Sequence, residues 1–137
     1  MTTTYPRSLD SLERIVADTA RSFSEHGIDA SLLHTVDLVI EELFVNMVKY
    51  NRDTNREIAL DIGRIDDGVE VSLTDFDVER FDPSRPVEVD IDAPLAEREA
   101  GGLGLYLIHK MVDSIKYEYR NRQSKVTITK TVSPADV

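Results

Sequence analysis

Two distant segments carry residue types that could close on one nucleotide: Glu41-Glu42-Leu43-Phe44-Val45-Asn46 near the middle of the chain and Gly101-Gly102-Leu103-Gly104-Leu105 near its end. On a helix Glu42 and Asn46 stand one turn apart on the same flank, whereas Glu41 points toward the opposite one. Asn46 offers a neutral oxygen to a hard cation such as Mg²⁺, which keeps waters and takes other ligands from phosphates. Glu42 could accept a proton from an attacking hydroxyl, a role commonly contributing about 10²- to 10⁴-fold in rate. Gly101, Gly102 and Gly104 permit close approach of backbone to ligand, and amides at a helix start bind phosphate oxygens. Asp75, followed by Phe81-Asp82-Pro83, supplies a carboxylate that could accept a hydrogen bond from an adenine amino group.

Each segment alone has a plainer explanation. Glu41, Glu42 and Asn46 could be a solvated helix face, the glycines a tightly packed helix entrance, and Asp75 a strand-terminal acid at a turn. The glycine cluster lacks the Lys-Ser/Thr ending of a Walker loop and the strand-first setting of a dinucleotide fold, which excludes both of those classes.

The elements that must position these residues follow from periodicity. Ser8 is placed to cap an amphipathic helix with Leu9, Leu12, Val16, Ala20 and Phe23 on its apolar stripe and Gly27 as its stop. Ser31 can start a second helix whose stripe is Leu32, Val36, Ile40, Leu43 and Met47, ending in the polar run Asn51 to Asn55. The period then changes to two: Ile58, Leu60 and Ile62 alternate before Asp66-Asp67-Gly68, and Val69, Val71 and Leu73 after it, which predicts an antiparallel hairpin. Residues 76–100 hold three prolines and little periodicity, and a connection that long predicts a functional lid. A third helix follows from Leu103 through Leu107, Ile108, Met111 and Val112, then strands over Ser114–Tyr119 and Val126–Val132 turning at Asn121-Arg122-Gln123.

Composition narrows the function classes. The 137 residues suit one domain, 1–137, with a substantial core. With 26 acidic against 16 basic residues and a formal charge of −10, a general nucleic-acid surface is not expected. There is no cysteine for a disulfide or a thiolate metal site, and His26, His34 and His109 are isolated in sequence. No apolar run has the form of a signal peptide or a membrane span, so a soluble intracellular protein with no membrane partner is expected.

Taken in order, Glu42-x-x-x-Asn46, Asp75 with Phe81-Asp82-Pro83, and Gly101-Gly102-Leu103-Gly104-Leu105 resemble the GHKL ATPase fold, and within it the anti-sigma-factor serine kinases of bacterial partner-switching systems. The resemblance spans nearly the whole chain and is strongest from Val39 to Tyr50 and from Leu95 to Lys130. It implies an α+β class: a two-layer sandwich of the Bergerat type, with helices on one face of a mixed, mainly antiparallel sheet. By the same resemblance Asn46 would hold Mg²⁺, Glu42 would be the general base and Asp75 would contact adenine. Gly102, Leu103, Gly104 and Leu105 would cradle the phosphates, and Arg98 would lie in the lid near the terminal phosphate, where it could stabilise transferred charge.

The reaction implied is transfer of the terminal phosphate of ATP to a serine of a STAS-domain anti-anti-sigma protein, in the bacterial cytoplasm. The same kinase would otherwise hold a sigma factor or another regulated client, and phosphorylation would change which partner wins by adding a dianion to one interface. The resemblance also implies a homodimer, although one core explains the apolar pattern equally well. One departure stands out. The family carries glycine two residues after the adenine-binding aspartate, whereas this chain reads Asp75-Phe76-Asp77, with Phe81 slightly farther along than expected. A charge at Asp77 could repel a nucleotide, so the alternative expectation is a non-catalytic or weakly nucleotide-binding switch protein that sequesters its client.

Overall fold

The change of period from 3.6 to 2 near residue 57 becomes a change of layer, from helices to the strands of a sheet that packs against them. The computed structural model describes residues 2–50, 54–79 and 102–132, with side chains from Leu107 onward in the last of these segments. Its strands and helices are β1 (Thr2–Tyr5), α1 (Leu12–His26), α2 (Leu33–Tyr50), β2 (Ile58–Ile65), β3 (Gly68–Phe76), α3 (Gly102–Met111), β4 (Ser114–Arg120) and β5 (Gln123–Thr131). Strand order is β1-β2-β3-β5-β4. All four pairings among the described residues are antiparallel, in keeping with the mainly antiparallel sheet expected. The α+β architecture is as the sequence implied.

Register sets the buried face. Leu60 pairs with Leu73 and Ile62 with Val71 across β2 and β3, while Val71 pairs with Ile128 and Leu73 with Val126 across β3 and β5. These residues alternate with polar ones, so one face of the sheet is apolar and closes on Val36, Val39, Ile40, Leu43 and Phe44 of α2. The predicted α2 stripe, Leu32, Val36, Ile40, Leu43 and Met47, is buried throughout. Its start differs: Asp29, not Ser31, caps the entry, its carboxylate accepting from the Ser31 amide at 2.8 Å.

α1 corrects the sequence reading more deeply. Ile15, Thr19 and Phe23 are its buried row, whereas Leu9 and Val16 are 48% and 49% exposed and Ala20 is exposed. Ser8 caps a 3₁₀ turn over Leu9–Ser11 and the α-helix begins only at Leu12. The tighter turn throws Leu9 out of phase with the helix that follows. Thr19 can be buried because its hydroxyl donates to the Ile15 carbonyl at 2.7 Å, which satisfies its one polar side-chain group. Gly27, with φ of 66°, ends α1 as expected.

The hairpin between β2 and β3 uses its turn residues differently from the Asp-Gly pattern. Asp67 takes the left-handed conformation, with φ of 56°, and Gly68 already belongs to β3. A Cβ on Gly68 would lie 2.9 Å from Thr131 Cα and against the Lys130 carbonyl, so this glycine is required by close packing on β5. β1, paired with β2 through Thr3 and Leu60, was not anticipated. Its Thr-Thr-Thr-Tyr sequence has no apolar alternation, and pairing at a sheet edge is what orders it.

Candidate functional site

The second half of α2 carries the predicted pair. Asn46 is buried, 4% exposed, and its Nδ2 donates to Glu42 Oε1 at 3.3 Å, so the i,i+4 spacing brings the two side chains together as expected. With the amide nitrogen donating to Glu42, Oδ1 is the group that Asn46 could offer to a cation. Burial pushes the Glu42 carboxyl above the ordinary glutamate range; the Asn46 hydrogen bond and the Lys49 charge pull it back, and Glu41 adds to the rise. Earlier on the same helix, burial also raises the Asp37 carboxyl, opposed by His34 and reinforced by Glu41. A carboxylate that holds its proton more firmly than usual, beside a buried neutral amide, suits a general base with a cation site one turn away.

Asp75 is the penultimate residue of β3 and its side chain is fully buried. The guanidinium of Arg7 meets it as a fork: Nη2 contacts Oδ1 closely and Nη1 lies 3.5 Å from Oδ2. Arg7 also donates from Nη1 to the Met47 carbonyl at 3.0 Å and from Nε to the Arg56 carbonyl at 3.3 Å, and only 8% of its side chain is exposed. One arginine therefore joins the residue after Asn46, the approach to β2 and the end of β3. No spacing rule points to it, because its partner is 68 residues away and the arm that carries it, β1 and Pro6, has no periodic signal.

Asp77 adopts φ of 57°, in the left-handed region where glycine is most at ease and aspartate is better tolerated than most residues. Its Oδ1 accepts from Arg122 Nε at 2.9 Å. Arg122 follows Asn121 in the β4–β5 turn, both at positive φ of 61° and 53°, the pattern of a tight hairpin loop. The next residue, Val78, is buried; its N–H donates to the Arg122 carbonyl at 2.9 Å and its own carbonyl accepts from the Tyr119 hydroxyl at 2.8 Å. The unexpected charge is thus paired on the hairpin, and the backbone still takes the shape a glycine would allow.

α3 begins at Gly102, so Gly102, Leu103, Gly104 and Leu105 form its first turn, at the end where amides lack helical partners. α3 packs on α2, with Ile108 buried in the shared core, and α2 also meets β3. The helix with Glu42 and Asn46 therefore touches both the strand with Asp75 and the helix with the glycines. Gly101, Arg98, Phe81-Asp82-Pro83 and residues 80–100 of the expected lid lie outside the described residues.

The donor set bears on the cofactor. Among the described residues no group of three or more His, Cys, Asp or Glu could hold a metal ion. A lone amide oxygen fits Mg²⁺ that takes most of its ligands from nucleotide phosphates and water, and would not fit a cation needing a full protein cage. No helix among the described residues is long and apolar enough to cross a membrane.

A family model described as a histidine kinase-like ATPase domain matches residues 5–130. The serine-protein kinase RsbW of Listeria innocua serovar 6a is 30% identical over 121 residues, covering 83% of this chain and 75% of that protein. RsbW of Listeria monocytogenes serotype 4a matches with the same identity and coverage. Among solved structures, the RsbU and RsbW domains of Rv1364c from Mycobacterium tuberculosis align with a TM-score of 0.65 at 16% identity, over 96% of this chain and 32% of that larger one. The histidine kinase AdeS of Acinetobacter baumannii aligns with a TM-score of 0.52 at 14% identity, over 96% of this chain and 67% of that one.

Proposed function

The chain belongs to the histidine kinase-like ATPase family, among the anti-sigma-factor kinases, and from that premise we propose that it is a Mg²⁺- and ATP-dependent serine protein kinase that also acts as an anti-sigma factor. Its substrate in this reading is a STAS-domain anti-anti-sigma protein, and its client is a sigma factor or another regulator, in the bacterial cytoplasm and as a homodimer. The observation that carries the proposal is the buried Asn46 amide bonded to Glu42, whose carboxyl is raised by burial, on a helix that packs against α3, the helix whose first turn carries the glycines.

In the proposed step the substrate serine oxygen bonds to the terminal phosphorus, the bond from that phosphorus to the bridging oxygen of ADP breaks, and the hydroxyl proton passes to Glu42. Asn46 would hold Mg²⁺ through its amide oxygen; bound there, the ion neutralises phosphate charge. Asp75 takes the adenine amino group, the amides of Gly102 to Leu105 take phosphate oxygens, and Arg98 stabilises the transferred group. Glu42 performs its part only when ionised, so its environment sets the pH range of transfer.

Incubation with ATP, Mg²⁺ and a STAS-domain protein encoded beside this chain, followed by mass measurement, tests the proposal: one added phosphate is expected on the partner. Glu42→Gln should abolish transfer while nucleotide binding persists, and normal transfer by that variant would remove Glu42 from the role of base. Asp77 favours a second reading, a binder that sequesters its client without chemistry, because it brings a charge where the family carries glycine. Stable capture of the client with no phosphate transfer would decide for it.

A further inference from the structure

We infer that Arg7 is a positioning residue for base recognition: its guanidinium fork holds Asp75 as a charged acceptor in one orientation, and so makes the base site select a 6-aminopurine over a 6-oxopurine. This rests on the nucleotide site proposed above and adds to it a residue outside every motif. Asp75 is fully buried and Arg7 nearly so, and both carboxylate oxygens face the guanidinium. Arg7 is itself fixed by the Met47 and Arg56 carbonyls, so the fork cannot follow a ligand.

The chemistry of selection follows from what a carboxylate can offer. Ionised, it only accepts hydrogen bonds, which suits the amino group at position 6 of adenine and repels the carbonyl oxygen at position 6 of hypoxanthine. A buried carboxylate without its cation escapes that constraint in two ways. It can take up a proton and donate to the carbonyl, or swing to accept from the ring N1–H that a 6-oxopurine carries. The cation blocks the first and the two-pronged contact blocks the second. A purely structural pin would behave differently: its loss would weaken both nucleotides alike and leave their ratio unchanged.

Displacement of a ribose-labelled fluorescent ATP by unlabelled ATP and by inosine triphosphate measures that ratio, with urea unfolding of each variant in parallel. The wild-type chain is expected to prefer ATP by about 10²-fold or more. Arg7→Met should reduce the preference by about tenfold or more, the scale of one charge-assisted hydrogen bond. Arg7→Lys keeps the cation, and with it the fold, but gives up the fork, and should reduce the preference by roughly threefold. If the methionine variant does not fold, the lysine variant decides. An unchanged ratio in the variants that fold overturns the inference and leaves the nucleotide site standing. If neither nucleotide displaces the probe or binds the wild-type chain, the nucleotide site fails first and the role of Arg7 falls with it.

Discussion

Replacing Asp77 by glycine and by alanine separates backbone strain from charge at a position where the resemblance implies glycine. At φ of 57° a side chain costs up to about 1–2 kcal/mol relative to glycine, and aspartate lies at the lower end of that range. The Arg122 pair offsets little of this: its partners are 57% and 51% exposed, and such pairs contribute about 0–1 kcal/mol. Asp77→Gly therefore relieves about 1 kcal/mol of strain, forfeits up to about 1 kcal/mol of pairing, and gives the unfolded chain about 0.4–1 kcal/mol of extra entropy. The net change should lie within about 1 kcal/mol of wild type. Asp77→Ala raises the left-handed cost by about 1 kcal/mol, because alanine lacks aspartate's tolerance of that region, and loses up to about 1 kcal/mol of pairing, so it should be less stable by about 1–2 kcal/mol. With a urea slope of about 1–3 kcal/mol per molar, the alanine midpoint should fall by roughly 0.5–1.5 M while the glycine midpoint stays near wild type. Equal midpoints for the two variants would refute the backbone argument. The same pair reads charge through ATP titration: both remove the carboxylate and both should bind ATP more tightly than wild type, whereas a gain confined to glycine would assign the effect to backbone shape.

Glu42 has a raised carboxyl, so it binds its proton more firmly folded than unfolded; that stabilisation is present below the unfolded value of 4.5 and is lost as pH rises through the folded value. Glu42→Gln should accordingly be at least as stable as wild type at neutral pH while losing transfer, and the acid limb of wild-type transfer should lie above 4.5; a flat rate through that range counts against Glu42 as base. Asp113 is the opposite case. Its Oδ2 accepts from the Thr131 hydroxyl and amide, both at 2.7 Å, which holds the carboxyl below the ordinary aspartate value of 3.8, so its stabilisation is present above that value and is lost as pH falls through the lower folded one. Asp113→Ala should cost about 1–2 kcal/mol at neutral pH, and its deficit in chemical denaturation should shrink in acid; a deficit constant with pH would argue that packing is responsible. Gly68→Ala should cost about 1–3 kcal/mol in urea unfolding, because the added methyl meets β5 backbone that cannot retreat, and a wild-type midpoint would show that β5 yields there.

What was legible in the sequence was whatever a short window encodes. The stripe of α2, the Glu42–Asn46 contact, the alternation of β2 and β3 and the αL stop at Gly27 are each set within about two turns or one hairpin. The errors arose where a neighbour outside the window decides. Val16 and Ala20 read as core because they are apolar, yet Ile15 and Thr19 face the sheet, and Thr19 does so only through its bond to the Ile15 carbonyl. β1 forms because β2 offers an edge, which no local propensity reports. Sequence shows Asp77 only as a charge where the resemblance implies glycine; its left-handed backbone and its Arg122 partner on the β4–β5 turn are visible only in the fold.

The same distinction divides the proposed site. The groups assigned to chemistry, Glu42, Asn46 and Gly102 to Leu105, lie in two short motifs on two packed helices. The groups that fix the end of β3 come from everywhere else. Arg7 reaches Asp75 from the arm after β1, and the Thr54 hydroxyl donates to the Phe76 carbonyl at 3.2 Å. Arg56 stacks 5.6 Å from the Phe76 ring centroid, and Arg122 and Tyr119 hold Asp77 and Val78 from the hairpin. A base-reading carboxylate discriminates only if it cannot rotate or change its charge to suit the wrong base, so selectivity depends on how completely its strand end is held. Substitutions in the helical motifs should then abolish transfer with base preference intact. Loosening Arg7 should instead blur the preference while Glu42 keeps its place, a separation that no scheme confining the site to its motifs would produce.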